Sequence, residues 1–437
     1  MIVLRGYKFR LYADDAQKAQ LSRIAGICRF VYNLALEQRR DWWQQFKAAT
    51  GRQISYVSQN RELTILRTEV DWIAAAPSDC LHYALRDVDR AFSNFFAGHS
   101  GYPKPRKRGE QDTFRFPFAR SRWTKLNAKW AVVLIPKVGE VKFRLSRDVP
   151  GTIKVVTVAR DALGWHVIFT TEIEQQIRQT PKPAVGIDRG VTRTLTLSDG
   201  TFRDLPKERL NLLERRASKQ ARALARKQKG ANRRTAAKRL LARTKAKIAR
   251  IRRHWSHEQS REIATRFGFV AMEALNTKAM TASAKGTVGH PGRNVRAKAG
   301  LNRAILAAGW QQFETFLGYK VAAEGGALVM VDPCRTSQTC SCCRAVDRES
   351  RESQAIFRCV CCGHTMNADH NAAINILRAG EQPAPRPAGG RPSKREPKRA
   401  ARIAFGNPPG FSQEEDSKTP SASSRRRPPC GPAASHG

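Results

Sequence analysis

The chain has 437 residues, 41% of them hydrophobic, so it is long enough for more than one domain and too apolar to be disordered throughout. Its 79 Lys and Arg against 37 Asp and Glu leave a formal net charge of +42. A surplus that size strains a compact fold unless a polyanion neutralises it, which points to nucleic acid. A basic membrane-surface protein is the competing reading; it is disfavoured because there is no apolar run of about 18 residues and no lipidation signal at either end. The start, Met1-Ile-Val-Leu-Arg-Gly, lacks the pattern of a signal peptide, so a cytoplasmic location is expected.

Near the N-terminus Tyr7, Phe9 and Leu11 alternate with Lys8 and Arg10, the period of a half-buried strand with a basic face. A helix is predicted from Asp14 or Asp15, with Leu21, Ile24, Cys28 and Val31 on one face. Further helical pattern runs from about Arg61 to Phe96 and breaks at Pro77. Strand alternation returns after Tyr102-Pro-Lys-Pro, at Phe114, Phe116 and Phe118, then Trp130, Val132 and Leu134, then Val141 and Phe143, Ile153 and Val155, and Trp165, Val167 and Phe169. These segments read as a small antiparallel barrel or sheet with a helical insertion.

From Lys207 to Arg253 there are nineteen Lys or Arg and two acids. Leu210, Leu213, Ala217 and Leu224 form one helical stripe, Leu240, Thr244, Ile248 and Ile251 another, and Gly230-Ala-Asn separates them. The pattern predicts a basic helical hairpin; solvated helix faces normally mix signs, so this one is assigned to nucleic-acid contact. Beyond Ala379 eleven of the 22 prolines fall in the last 58 residues, a composition that cannot bury a core and predicts a disordered tail over residues 380–437.

Six of the ten cysteines lie between Cys340 and Cys362, too crowded for an ordinary disulfide framework. Cys340 and Cys343 pair with Cys359 and Cys362 as C-x2-C, fifteen residues, C-x2-C, the spacing of a zinc ribbon in which two tight turns each bring two thiolates to one tetrahedral ion. Four thiolates leave no open position for substrate, so the zinc is read as structural. Cys342 and Cys361 are out of register and are left outside the ligand set.

Three carboxylates stand out on separated segments. Pro183-Ala-Val-Gly-Ile-Asp188 and Phe267-Gly-Phe-Val-Ala-Met-Glu273 read as apolar strands that end in an acid, and Asp369 opens a helix just after the ribbon. Taken singly, each fits a cap or a surface charge. Jointly they fit a two-metal phosphodiesterase, which needs acidic oxygens converging from several elements to hold ions about 3.5 to 4 Å apart. Composition and spacing alone stop at a metal-dependent enzyme acting on nucleic acid.

The Asp188 and Glu273 segments, together with Thr336-Ser-Gln-Thr-Cys-Ser-Cys-Cys343 and Asn367-Ala-Asp-His-Asn-Ala-Ala, strongly resemble the transposon-encoded TnpB (OrfB-type) family, compact RNA-guided DNA endonucleases related to type V CRISPR effectors. The resemblance covers roughly residues 2–378. It implies an α+β multidomain chain: a wedge-type β-barrel over residues 1–180 with a helical recognition insertion at about 14–100, then a RuvC-like nuclease of the RNase H fold over 181–333 and 367–379, interrupted by a zinc ribbon at 334–366. It further implies Asp188, Glu273 and Asp369 as catalytic acids holding Mg2+, Cys340, Cys343, Cys359 and Cys362 as zinc ligands, a guide RNA from the transposon end, and target double-stranded DNA. Arg344 departs from the family pattern, which has Gly after the second cysteine, and His254 and Glu258 depart from its usual charges around His257, itself read as structural. The competing functions are a nuclease-inactive RNA-guided regulator, disfavoured because all three acids are present, and a strand-transferring transposase, which would join DNA without RNA.

Overall fold

A computed structural model describes residues 2–45, 54–110, 112–174 and 181–382. The first part is an antiparallel sheet of β1 (Ile2–Tyr12), β2 (Thr113–Pro117), β3 (Trp123–Lys125), β4 (Trp130–Ile135), β5 (Gly139–Arg144), β6 (Thr152–Asp161) and β7 (Gly164–Glu174), in the order β2-β6-β7-β1-β5-β4-β3. The ring of Phe9 lies 5.4 Å from Phe143 and 6.0 Å from Phe169. Trp123, on the end strand β3, reaches Phe169 at 6.3 Å although three strands separate them in the order. That contact requires the sheet to curl over its own aromatic core.

Between β1 and β2 stand α1 (Asp15–Gln45), α2 (Tyr56–Glu69), α3 (Asp71–Ala74) and α4 (Ser78–Phe96). Leu21, Ile24, Cys28 and Val31 are buried as their spacing predicts. The helical pattern begins earlier than Arg61, because Ser55 and Ser58 form a reciprocal capping box, and it breaks at Val70 as well as at Pro77.

One strand expectation is corrected, and one predicted strand shows which of its faces is buried. Phe118 leaves the alternation and begins a short 3-10 turn after Pro117. On β4 the buried residues are Ala131, Val133 and Ile135, whereas Trp130, Val132 and Leu134 take the outer face. Both faces of β4 are apolar in sequence, so periodicity could not choose between them; inside the curl, small Ala131 sits opposite bulky Phe143.

The second sheet contains β8 (Ala184–Asp188), β9 (Leu195–Leu197), β10 (Phe202–Arg203), β11 (Phe269–Glu273) and β12 (Ala327–Val331), in the order β10-β9-β8-β11-β12, with β8, β11 and β12 mutually parallel. Its connections include the hairpin α5 (Lys207–Ala225) and α6 (Asn232–Arg266), then α7 (Thr277–Met280), α8 (Val295–Ala308) and α9 (Trp310–Ala323). A small hairpin of β13 (Ile356–Arg358) and β14 (Thr365–Asn367) leads into α10 (Ala368–Glu381). The described chain is thus α+β. Among its described residues no helix is long and apolar enough to cross a membrane.

The basic hairpin is present, with α6 running thirteen residues beyond Arg253 to Arg266. Leu210, Thr244 and Ile248 are buried, but Leu241 takes the inner position expected of Leu240, which is exposed. The helix α10 continues two residues past Ala379; the tail predicted to be disordered lies, from residue 383 onward, outside the described residues.

Strand alternation sorts the second sheet into two faces. Val185, Ile187, Val270 and Met272 pack with Trp255, Ile263, Phe313 and Leu317 of α6 and α9. Gly186 and Ala271 turn to the other face, which α10 covers. The approach is close enough that a Cβ on Gly186 would lie 2.1 Å from the carbonyl oxygen of Ala373. Since backbone cannot swing aside as a side chain can, Gly186→Ala should lower stability by at least about 1–3 kcal/mol, read as a fall in the thermal midpoint; an unchanged midpoint would refute this packing.

Candidate metal centre and carboxylate site

The two faces decide where the acids go. Asp188 follows Gly186 by two residues and Glu273 follows Ala271 by two, so both project towards the α10 side at the carboxyl ends of adjacent parallel strands, the edge where open α/β sheets bind ligands. Asp369 stands in the first turn of α10, whose N-cap Asn367 accepts hydrogen bonds from the backbone N–H groups of Asp369 and His370. The carboxyl of Asp188 is pushed up to about 7 by burial, with Glu273 and then Asp369 adding repulsion. Glu273 and Asp369 are also raised, each chiefly by burial. A cluster this unfavourable to its own charge is suited to a hard divalent cation, which oxygen donors prefer.

Neighbouring groups hold the acids in place. The hydroxyl of Thr336 donates to Glu273 Oε1 at 2.5 Å. The buried Arg189 donates to the backbone oxygen of Glu273 and pairs with Glu314 Oε2 at 3.0 Å, tying β8 to the end of β11 and to α9. Arg351, from the segment between the two cysteine pairs, lies 3.6 Å from Asp369 Oδ1 and favours the charged form of all three acids. Sequence reasoning missed Thr336, Arg189 and Arg351 as parts of this site. Thr336 opens the stretch that carries the family resemblance but had no role assigned to it, and the two arginines carry no periodicity.

Cys340, Cys343, Cys359 and Cys362 are, among the described residues, the group of metal-binding side chains whose ligand atoms all fall within 4.8 Å; the oxygens of the three acids spread wider. Cys340 Sγ is 3.8 Å from Cys362 Sγ, and Cys343 Sγ is 3.5 Å from Cys359 Sγ. Four sulfurs each about 2.3 Å from one tetrahedral ion lie about 3.8 Å apart, so the cage fits zinc. Cys342 and Cys361 are exposed and outside it, as the spacing requires. Gly363 turns the second pair with φ +69°, and Arg344 takes the same left-handed conformation after the first, with φ 69°. The Arg that departs from the family pattern therefore adopts the turn that favours Gly, at a cost of roughly 1–2 kcal/mol. Burial pushes His257 down to about 4, assisted by Lys320 and Arg253, and its ring stacks on Phe316 with centroids 3.9 Å apart, a structural placement on α6.

Two acids thus end adjacent parallel strands, and a third opens the helix that leaves the four-cysteine ribbon and covers that face of the sheet. Three family patterns match the chain: one described as a helix-turn-helix domain over residues 1–48, one described as "Probable transposase" over 168–284, and one described as "Cas12f1-like, TNB domain" over 310–376. Residues 2–45 in fact form one strand and one long helix. The chain is 37% identical over 380 residues to InsQ of Escherichia coli (strain K12), which carries the name of an RNA-guided DNA endonuclease; the match spans 86% of this chain and 92% of that one. A similarly named protein of Streptomyces pristinaespiralis is 33% identical over 386 residues, 86% of this chain and 90% of its own. The fold resembles the protein in a solved Cas12f1-sgRNA-target DNA complex, with a TM-score of 0.50 and 15% identity, covering 84% of this chain and 83% of that one. The chain belongs to the transposon-encoded TnpB family.

Proposed function

We propose that the protein is an RNA-guided DNA endonuclease of a transposable element, with one RuvC-like site held by Asp188, Glu273 and Asp369. The observation that carries this reading is the 37% identity over 380 residues to a relative named for that activity, in a chain that keeps all three acids. The partners are a guide RNA from the transposon end and double-stranded target DNA. Guide pairing reads the target sequence, while protein side chains grip backbone and a short adjacent duplex motif.

In this reading residues 1–180 are the wedge-type barrel with its recognition helices at about 14–100; 181–333 and 367–379 are the nuclease, 334–366 the zinc ribbon and 380–437 a basic tail. Asp188, Glu273 and Asp369 hold two Mg2+ ions, which when bound supply charge against the scissile phosphate and acidity to a water. The protein's own contribution is orientation. Arg189 pins the end of β11, the Asn367 cap sets the first turn of α10, and Arg351 opposes the protonation of the acids that burial favours. Sequencing the RNA that copurifies with the protein, then offering DNA complementary to it with Mg2+, tests the reading. No copurifying RNA, or DNA joining without RNA, would overturn it.

Zinc in the ribbon is structural, and its binding energy is local folding energy. Cys343→Ser should therefore release zinc and unfold the ribbon, whereas Cys342→Ser should keep one zinc per chain, both read by metal content. The reverse pattern would overturn the ligand register.

A further inference from the structure

The recognisable stretch Thr336 to Cys343 and the helix that starts at Asp369 contribute more than cysteines and an acid. Thr336 is 7% exposed and donates its hydroxyl to Glu273 Oε1 at 2.5 Å, leaving Oε2 unengaged by that bond. Its own carbonyl accepts from Asn375 Nδ2 at 3.0 Å, and the same Nδ2 donates to the carbonyl of Thr339 at 2.6 Å. One turn earlier on α10, fully buried Asn371 donates to Thr339 O at 2.8 Å and accepts from the backbone N–H of Ser341 at 2.9 Å. Residues four apart on a helix share a face, so Asn371 and Asn375 form one polar edge of α10 laid along the loop that enters the ribbon. A loop with few strand partners needs such groups for its buried backbone; Asn371 uses both the donor and the acceptor of its amide, and Asn375 uses its donor.

We propose that Thr336, fixed in place by Asn375, is a positioning residue that sets the carboxylate of Glu273 for a divalent cation, so that the entry loop of the ribbon joins Glu273 on β11 to the helix bearing Asp369. The inference rests on the reading of the three acids as a metal site. A freely rotating Glu samples several orientations; a short hydrogen bond from a buried hydroxyl to one carboxylate oxygen selects one of them and leaves the other oxygen for a cation. The hydroxyl reaches Glu273 only if residue 336 keeps its place, and Asn375 holds its carbonyl.

The test is a calorimetric titration of Mn2+ alone into the full-length, zinc-loaded protein. Thr336→Val removes the hydroxyl at nearly constant shape and is expected to weaken Mn2+ binding about 10- to 100-fold, the usual effect of losing a group that orients a ligand. Thr336→Ser restores the donor and should stay within about threefold of wild type, and zinc content should be the same in all variants. In the Glu273→Gln background, Thr336→Val should add little further loss, because the two residues act as one unit. Thr336→Ala replaces the valine variant if that fails to fold. Equal losses with and without the Glu273 carboxylate, or Mn2+ affinity unchanged by Thr336→Val, would overturn the proposal. Wild-type binding that Glu273→Gln leaves intact, or no Mn2+ binding by wild type, would instead refute the metal-site reading beneath it.

Discussion

Replacing Asp188, Glu273 or Asp369 by alanine is expected to lower DNA cleavage by the guide-loaded protein by more than about 10³-fold while leaving guide and target binding within a few fold. Each change removes one oxygen donor from the strand-end cluster and none of the cationic side chains that meet a phosphate backbone. The three substitutions should not add, since acids that hold the same ions act as a unit. Cleavage assays on complementary DNA, paired with binding measured on the same preparations, separate the two effects. A variant that cuts at near wild-type rate would remove its residue from the site, and one that loses binding in parallel would place that residue in the grip on nucleic acid.

The same cluster fixes a pH dependence. The Asp188 carboxyl titrates near 7, above its unfolded value of 3.8, because burial, Glu273 and Asp369 all disfavour its charge. A group raised on folding contributes stability that is fully present below its unfolded value and is lost as pH rises through its folded value. Without added Mg2+, therefore, the thermal midpoint should fall as pH rises from about 4 to about 7, and Asp188→Asn should remove part of that slope. Cation binding must displace the proton, so Mg2+ affinity should climb with pH up to about 7 and then level off. Thermal midpoints that rise over this interval, with other carboxylates controlled by the Asn variant, would contradict the raised Asp188.

The parts legible in the sequence were those set by spacing. Cysteines three positions apart at each of two turns are a local signal that needs no reference to the rest of the chain, and the four sulfurs meet in that register. Leu21, Ile24, Cys28 and Val31 are buried for the same reason, since a helical period is a local property. The acids were legible as strand ends, but their convergence needed the parallel pairing of β8 with β11 and the close seat of α10 on Gly186, both long-range facts. Thr336, Asn371, Asn375, Arg189 and Arg351 belong to the site only through tertiary contacts, and nothing in their neighbours' periodicity marks them. Where the local pattern was ambiguous, as in the doubly apolar β4, the curl of the sheet decided which face was buried.

The second large effect concerns the basic hairpin, where the structure changes which cations matter. Arg234 lies near the turn yet donates to the carbonyls of Leu224 at 3.0 Å and Lys227 at 2.5 Å, so it closes the end of α5 and its loss would confound folding with binding. Arg233, Lys238, Arg239 and Arg243 are exposed on α6, and among the described residues none stands in an ion pair. Changing these four to Gln removes positive charge without touching a cap, a metal ligand or the buried stripe of Leu241, Thr244 and Ile248. If they grip phosphate, affinity for guide RNA or the RNA-DNA hybrid should drop by at least about tenfold at low salt, and the dependence of log affinity on log salt should become shallower by up to about 0.7 to 0.9 per lost contact. Zinc content and the thermal midpoint should be those of the parent. Parallel salt titrations of the parent, the four-site variant and Arg234→Gln alone decide the matter: a slope that only Arg234→Gln changes, or that no variant changes, makes the hairpin a solvated strut and moves the principal RNA grip to the curled sheet and its helices.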